Sequence, residues 1–387
     1  MKIVNVITGL NTGGAEVMLL KVLGRLDPTF SPHVISLTDI GSIGQRIQAL
    51  GIPVQALNLR RGIIPGPLSF FRLVWWLKEI KPDVVHTWMY HADLLGGVAA
   101  RIARVPAVGW AIRHSNLDRD KTRISTRQVA VACALISRFI PDKILVCSEV
   151  ARRIHVALGY VADKMWVIPN GFDLAQFKPD EGARQQVRVE LGVGRDTQII
   201  GLIGRFDPQK NHKGFMEAAG LLHQKRPEVH FLLAGKEIDE NNFELMSAVR
   251  EAGVGGVVHL LGLRSDIPRL MAALDVLASS SSYGEAFPNV LGEAMACGVP
   301  CVVTDVGDSA FIVGDTGRVV SPRDMPGLAE EMEALLALPP AEGASLSVRA
   351  RDRVAKHFEI GQIVRQYEAF YSELAETGRR RKKRDLP

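Results

Sequence analysis

Cysteine is scarce in these 387 residues. The four present, Cys133, Cys147, Cys297 and Cys301, have neither the paired spacing of a zinc site nor the density of a disulfide framework. They read as buried reduced thiols, which predicts a cytoplasmic compartment. Long apolar runs are lacking as well. The stretch from Val129 to Ile140 is interrupted by Arg138 and falls short of the roughly 20 residues a membrane-spanning helix needs. The opening residues, Met1-Lys2-Ile3-Val4-Asn5-Val6-Ile7-Thr8-Gly9, hold too short an apolar run for a signal peptide and read as a first buried strand. Nor is there a strong excess of one charge. The formal net charge is +5, and Arg379-Arg380-Arg381-Lys382-Lys383-Arg384 outweighs that alone, so the remaining chain is close to neutral and no nucleic-acid partner is expected.

What is present is a globular composition, 47% hydrophobic and 23% charged, on a chain long enough for two domains of roughly 150 to 200 residues. Apolar, β-branched runs alternate with helical patterns from end to end, as parallel sheets built from βαβ units require. The first half offers Ile3–Thr8, His33–Leu37, Val84–Trp88, Ala107–Ile112, Ile144–Cys147 and Trp166–Pro169. The second offers Ile199–Gly204, His230–Ala234, Val257–Leu260, Val276–Ser279, Cys301–Thr304 and Arg318–Val320. The predicted fold class is α/β, with two Rossmann-like doubly wound domains facing each other across a cleft, the first over 1–178 and the second over 187–354. Turn residues at Asn170-Gly171-Phe172-Asp173 and the polar segment Lys178 to Gln186 place a linker between them. A helix over 355–376 is expected to cross back toward the first domain, with a disordered basic tail over 378–387.

Three loops carry the chemistry. Gly13 and Gly14 lie between the first strand and the following helix, where paired glycines let backbone N–H groups approach an anion at a helix N-terminus. The spacing is not that of the dinucleotide fingerprint, and a tight turn explains the glycines equally well. Arg205 and Lys210 follow the first strand of the second half, at the end where open α/β sheets bind ligands. One forked and one point-like cation suit a diphosphate whose charge must be neutralised as it leaves. Glu285 sits before a short helix that Pro288 opens and Gly298-Val299-Pro300 closes, and Glu293 lies inside it. Both carboxylates are expected to face a ligand at that helix N-terminus, along with the N–H groups of Asn289 and Val290.

Gly13-Gly14-Ala15-Glu16, Pro169-Asn170-Gly171-Phe172-Asp173, Arg205 with Lys210, and Glu285 with Glu293, in that order, resemble glycosyltransferase family 4 of the GT-B fold, over the chain up to about Leu374. The resemblance implies a retaining, metal-independent transferase that moves a sugar from a nucleotide diphosphate donor, with a UDP-sugar as co-substrate and no other cofactor. It implies that Arg205 and Lys210 bind the diphosphate and that Glu293 holds the ribose. Glu285 would lie beside the donor sugar with the backbone of Phe287, Pro288, Asn289, Val290 and Leu291, and His114 would contact the sugar near its reacting carbon. The implied catalytic set is Glu285, His114, Arg205 and Lys210. A glycan or lipid-linked acceptor follows from family habit, in surface polysaccharide or glycolipid assembly at the inner face of the membrane. Two departures bear on which sugar is used. Ala286 and Pro288 stand where many relatives have glycine, and Val306-Gly307-Asp308-Ser309-Ala310-Phe311 stands where many have Gly-Gly-x-x-Glu.

Other candidates carry less. Asp118-Arg119-Asp120 matches a metal-binding D-x-D signature but follows mostly polar residues, so it reads as an exposed loop and no metal site is expected. His86 and His91 follow or end a strand and are candidates for the acceptor side or for the core. Ser69 to Lys78, preceded by Arg60-Arg61-Gly62-Ile63-Ile64, is an apolar helix with basic edges that suits an anionic membrane, although burial against the first sheet explains most of the same residues. The basic tail from Arg379 is a second electrostatic candidate. The alternatives to a transferase are a GT-B sugar-nucleotide epimerase or phosphorylase, or a nucleotide-sugar-binding protein without turnover.

Overall fold

The structure, a computed structural model, describes residues 1–59, 66–117 and 121–384, with the side chains of 382–384 excepted. Arg60 to Ile64 and the Asp118 to Asp120 signature fall outside the described residues. The chain forms two units, Met1–Gly171 with Ile360–Pro387, and Phe172–Glu359.

In the first unit the strands are β1 (Lys2–Ile7), β2 (Ser31–Ser36), β3 (Val54–Ala56), β4 (Val84–Trp88), β5 (Ala107–Ile112), β6 (Lys143–Val146) and β7 (Met165–Val167). The helices are α1 (Gly14–Leu23), α2 (Gly41–Ala49), α3 (Pro67–Ile80), α4 (Tyr90–Ile102), α5 (Ile124–Ile136) and α6 (Glu149–Leu158). All pairings are parallel, in the order β3-β2-β1-β4-β5-β6-β7. Strands covered on both faces lose their polar alternation, which is why Val84–Trp88 and Ala107–Ile112 are buried at every position. One face packs on α3, α4 and α5 through Leu73, Trp76, Ala99 and Cys133. The other packs on α1, α2 and the C-terminal helix through Met18, Ile43, Tyr367 and Phe370.

The second unit holds β8 (Ile199–Ile203), β9 (His230–Ala234), β10 (Val258–Leu260), β11 (Val276–Ser279), β12 (Cys301–Thr304) and β13 (Arg318–Val320), again all parallel, in the order β10-β9-β8-β11-β12-β13. Its helices are α7 (Glu181–Leu191), α8 (His212–Lys225), α9 (Phe243–Glu251), α10 (Ile267–Ala273), α11 (Asn289–Ala296), α12 (Ser309–Val313), α13 (Met325–Leu336) and α14 (Pro340–His357). The chain then returns to the first unit as α15 (Ile360–Arg384).

Two expectations change. The segment from Lys178 to Gln186 is not a bare linker. Asp180 caps α7 by accepting the Ala183 N–H at 2.9 Å, and Gly192 ends it in the left-handed region. Arg188 of that helix is buried and pairs with Asp275 at 3.0 Å. The basic tail, as far as it is described, does not stand apart from the helix before it. It continues α15 to Arg384, with Gly378 against Pro106 and Arg381 bonded to Asp142.

Candidate active site

In each sheet the strand order reverses at one point, between β1 and β4 and between β8 and β11. Loops leaving the carboxyl ends of the strands on either side diverge there and open a crevice for ligands. In the second unit those loops are Gly204–Asn211 and Ser280–Pro288, and they bring two of the expected residues into contact. Lys210 Nζ lies 2.6 Å from Glu285 Oε1, with both side chains largely buried. The Ser281 hydroxyl donates to the same carboxylate oxygen at 3.0 Å.

The loops are tied internally. Asp207 accepts the Gln209 N–H at 2.9 Å and the Arg205 Nε–H at 2.9 Å. Burial alone would raise Asp207, but those two donors and the charge of Lys210 outweigh it and hold the carboxyl below its ordinary value. Arg205 is thereby steered by Asp207 while staying 61% exposed, a cation still open to an anion. Ser280 Oγ donates to the Lys210 carbonyl at 2.8 Å, and Ser282 N–H to the Gln209 carbonyl at 2.8 Å, which zips the two loops together. His212, next to Lys210, is buried against Phe206, and burial with the Lys210 charge lowers it to about 4, so it stands neutral.

Glu285 is held from behind by Gly307, whose φ of 63° puts it in the left-handed region. A side chain there would also collide with the Glu285 carbonyl. The next residue, Asp308, donates its N–H to the Ala286 carbonyl at 3.1 Å. The two departures from the family pattern therefore lie side by side.

Pro288 is the N-cap of α11 rather than its first turn. Phe287, Pro288 and Leu291 are buried, Phe287 stacking on Phe172 at 6.3 Å. The Leu291 N–H donates to the Pro288 carbonyl at 3.3 Å. Asn289 and Val290 form the first turn of α11 and are half-buried, as is Glu293 further along the helix.

In the first unit, Gly13 is the N-cap of α1 and Gly14 its first residue. The preceding loop is fixed by Asn11 to Asp39 at 3.2 Å and Thr12 to Ser42 at 3.1 Å. The Glu16 carboxylate curls back over Gly13, so an acidic side chain of this chain already sits at that helix N-terminus. His114 follows β5, half-buried, its ring edge-on to Tyr90 at 6.4 Å. The Tyr90 hydroxyl bonds His155 Nε2 at 2.6 Å, and His155 Nδ1 lies 2.6 Å from the Ala151 carbonyl. A carbonyl only accepts, so Nδ1 carries the proton and Nε2 accepts from Tyr90. Burial lowers His155 to about 4, against the Ala151 bond, and His114 lowers it further. His86 does not face an acceptor. It is fully buried in β4, bonded to the Tyr371 hydroxyl at 3.1 Å, and lowered to about 3 by burial and by Arg113. His91 is half-buried on α4.

The sequence reading passed over Asp207, Ser281 and Thr304, whose hydroxyl donates to the Ser281 carbonyl at 2.6 Å. A signal was there, since three serines, Ser280 to Ser282, directly follow the buried strand β11.

Two doubly wound parallel sheets with cation and carboxylate loops at a switch point are the architecture of GT-B glycosyltransferases. Family models agree: that for Glycosyltransferase Family 4 matches residues 12–176, and that for Glycosyl transferases group 1 matches residues 197–337. The chain belongs to glycosyltransferase family 4. It is 28% identical over 275 residues, 69% of this chain and 68% of the relative, to the UDP-Gal:alpha-D-GlcNAc-diphosphoundecaprenol alpha-1,3-galactosyltransferase of Escherichia coli. It is 29% identical over 351 residues to the phosphatidyl-myo-inositol mannosyltransferase of Mycolicibacterium smegmatis, covering 87% of this chain and 83% of that one. The crystal structure of Anabaena HepE in complex with UDP and glucose matches it with a TM-score of 0.83 at 25% identity, over 97% of this chain and 100% of that chain.

Proposed function

We propose that this glycosyltransferase moves a sugar from a UDP-sugar to a hydroxyl of a lipid-linked glycan, with retention of anomeric configuration and without a divalent metal, at the inner face of a membrane. The contact between Lys210 and Glu285 at the switch point of the second unit carries this reading. It sets a cation for a diphosphate beside a carboxylate for a sugar. Arg205 supplies the forked partner of the diphosphate, and the first turn of α11 adds N–H groups and the positive end of its dipole. Glu293 takes the ribose hydroxyls. As the glycosidic bond to phosphate breaks, negative charge grows on the diphosphate and is met by Arg205 and Lys210, while positive charge on the sugar is met by Glu285. Neither carboxylate is assigned as a nucleophile, so the acceptor hydroxyl attacks on the face the diphosphate leaves, and the leaving phosphate takes its proton. In the first unit, Gly13, Gly14 and His114 are assigned to substrate contact at the carboxyl ends of β1 and β5. The named substrates of the Escherichia coli relative and the UDP held by Anabaena HepE support the donor and acceptor classes.

Melting curves with UDP, GDP, ADP and TDP test the base, since a ligand present at 100 times its Kd adds about 2.7 kcal/mol to native stability. UDP should give the largest rise. NMR coupling constants of the first product formed on a polyprenyl-diphosphate-linked GlcNAc acceptor should show retention. An inverted product overturns the mechanism, and turnover of donor that needs no acceptor overturns the transferase reading in favour of an epimerase.

A further inference from the structure

Helix α3 is apolar nearly all round, PLSFFRLVWWLKEI, and the sheet covers only half of it. Leu73, Val74, Trp76 and Leu77 enter the core, whereas Leu68, Phe71 and Trp75, spaced i, i+3, i+7, stand 87%, 62% and 58% exposed. A helix with this composition is normally buried. The exposed side of α5 repeats the pattern with Ile124, Val131 and Leu135, followed by Phe139 in the next turn of chain. Helix α4 packs against both α3 and α5 and ends in exposed Ile102, so the apolar residues lie along one side of the first unit. The charge around them is one-sided. Across residues 66–81, 89–104 and 123–138, all of them described, Arg72, Lys78, Lys81, Arg104, Arg123 and Arg138 are exposed against one exposed acid, Glu79. Asp93 of α4 is buried and points away from this surface, bonding Thr87 at 2.5 Å.

We infer that the outer face of α3, α4 and α5 is a docking surface for an anionic lipid bilayer, with Leu68, Phe71, Trp75, Ile124 and Leu135 entering the headgroup boundary and the basic residues meeting lipid phosphate. Exposed aromatic and aliphatic side chains framed by Arg and Lys are the chemistry of an interfacial, non-spanning attachment. A soluble partner of mixed charge would leave the excess of cations unmatched. No helix among the described residues is long and apolar enough to cross a membrane, and an in-plane attachment needs none. The surface deepens the proposed reading by naming what holds the enzyme beside a lipid-linked acceptor. Within the basic tail, Arg381 is already bonded to Asp142 and Arg380 lies beside Glu376.

The test is co-sedimentation with vesicles of phosphatidylcholine containing phosphatidylglycerol, against phosphatidylcholine alone, without donor or acceptor. The wild-type protein should sediment only with the anionic vesicles and less at high salt. Its fluorescence should shift to the blue as Trp75 leaves water. Phe71→Glu with Trp75→Glu, both on exposed positions, should lower the partition coefficient by about tenfold or more while leaving transfer to a soluble acceptor fragment unchanged. Trp75→Phe should keep sedimentation and lose the spectral shift. Wild-type protein that ignores anionic vesicles, or a double variant that sediments like it, overturns the inference. So does a dimer in light scattering that the double variant dissociates, which would make this face a self-association surface. Transfer to the soluble fragment is read without vesicles, so failure of the docking surface and failure of the transferase reading are separate results.

Discussion

The contact between Lys210 and Glu285 makes a prediction opposite to that for an ordinary binding residue. Replacing Glu285 by Gln keeps the shape and the bond from Ser281, and it removes the charge that holds Lys210 Nζ at 2.6 Å. A hydrogen bond to a charged group contributes about 1.5 to 3 kcal/mol, and with side chains 19% and 10% exposed this one is only partly weakened by water. An incoming diphosphate must either break that contact or share the ammonium with it, and it also approaches a like-charged carboxylate. Glu285→Gln therefore lifts a competition. Bare UDP is expected to bind more tightly by about 1 to 2 kcal/mol, which is about 5- to 30-fold. kcat should fall, because the lost carboxylate no longer meets the positive charge that builds on the sugar. Lys210→Met should weaken UDP by about tenfold or more, and in its presence Glu285→Gln should lose most of its tightening effect. Titration calorimetry with UDP alone, beside steady-state kinetics of each variant, reads all of this. If Glu285→Gln weakens UDP, the carboxylate serves to position Lys210 and the competition does not exist. If Lys210→Met leaves UDP affinity unchanged, the lysine is not a diphosphate ligand.

Transfer should persist in excess EDTA, because Arg205, Lys210 and the N-terminus of α11 supply the positive charge a cation would, and activity that vanishes there and returns with magnesium or manganese would refute this. Stability should fall as pH drops from neutral. Burial lowers His86 to about 3 and His155 and His212 to about 4 from an ordinary 6.5, so below pH 6.5 the unfolded chain takes up protons that the fold refuses. Each such histidine withdraws about 3 kcal/mol by about pH 4, against a total native stability of about 5 to 15 kcal/mol. Asp93, raised well above its ordinary value by burial, acts in the opposite direction and offsets part of the loss. A melting temperature that stays flat from neutral pH to about pH 4 would contradict these assignments.

Most of the fold was legible because parallel strands covered on both faces become unbroken apolar runs. Val84–Trp88, Ala107–Ile112 and Cys301–Thr304 are bounded in the structure as in the sequence. The edge strand β3 was missed. It has three residues, none fully buried, and its middle side chain, Gln55, points to solvent, so it carries no such run. Helix α7 escaped because its sequence, EGARQQVRVEL, is mostly polar, and what holds it is a cap at Asp180 and the buried charge pair of Arg188 with Asp275. Pairings between residues this far apart leave no periodicity to find. The helical tail is of the same kind, since its Arg381 meets a distant partner, Asp142.

The site was legible to the extent that its residues follow strands. Lys210 and Glu285 stand just past the ends of β8 and β11, and only the strand order puts those ends next to each other. Asp207 and Ser281 were not legible, because their work is inside the loops, steering Arg205 and fixing Glu285, and nothing in a linear spacing separates such a residue from a solvated turn. The two departures from the family pattern change meaning most. Along the chain, Ala286 and the segment from Val306 to Phe311 are unrelated substitutions about 20 residues apart. In the fold, Gly307 backs the carbonyl of Glu285 and the Asp308 N–H is bonded to the carbonyl of Ala286. They form one surface around the carboxylate assigned to the donor sugar. On the proposed role of Glu285, changing one without the other is expected to alter what that carboxylate rests on, so the donor preference, read as relative kcat/KM across UDP-sugars, should follow an exchange of the pair and not of either segment alone.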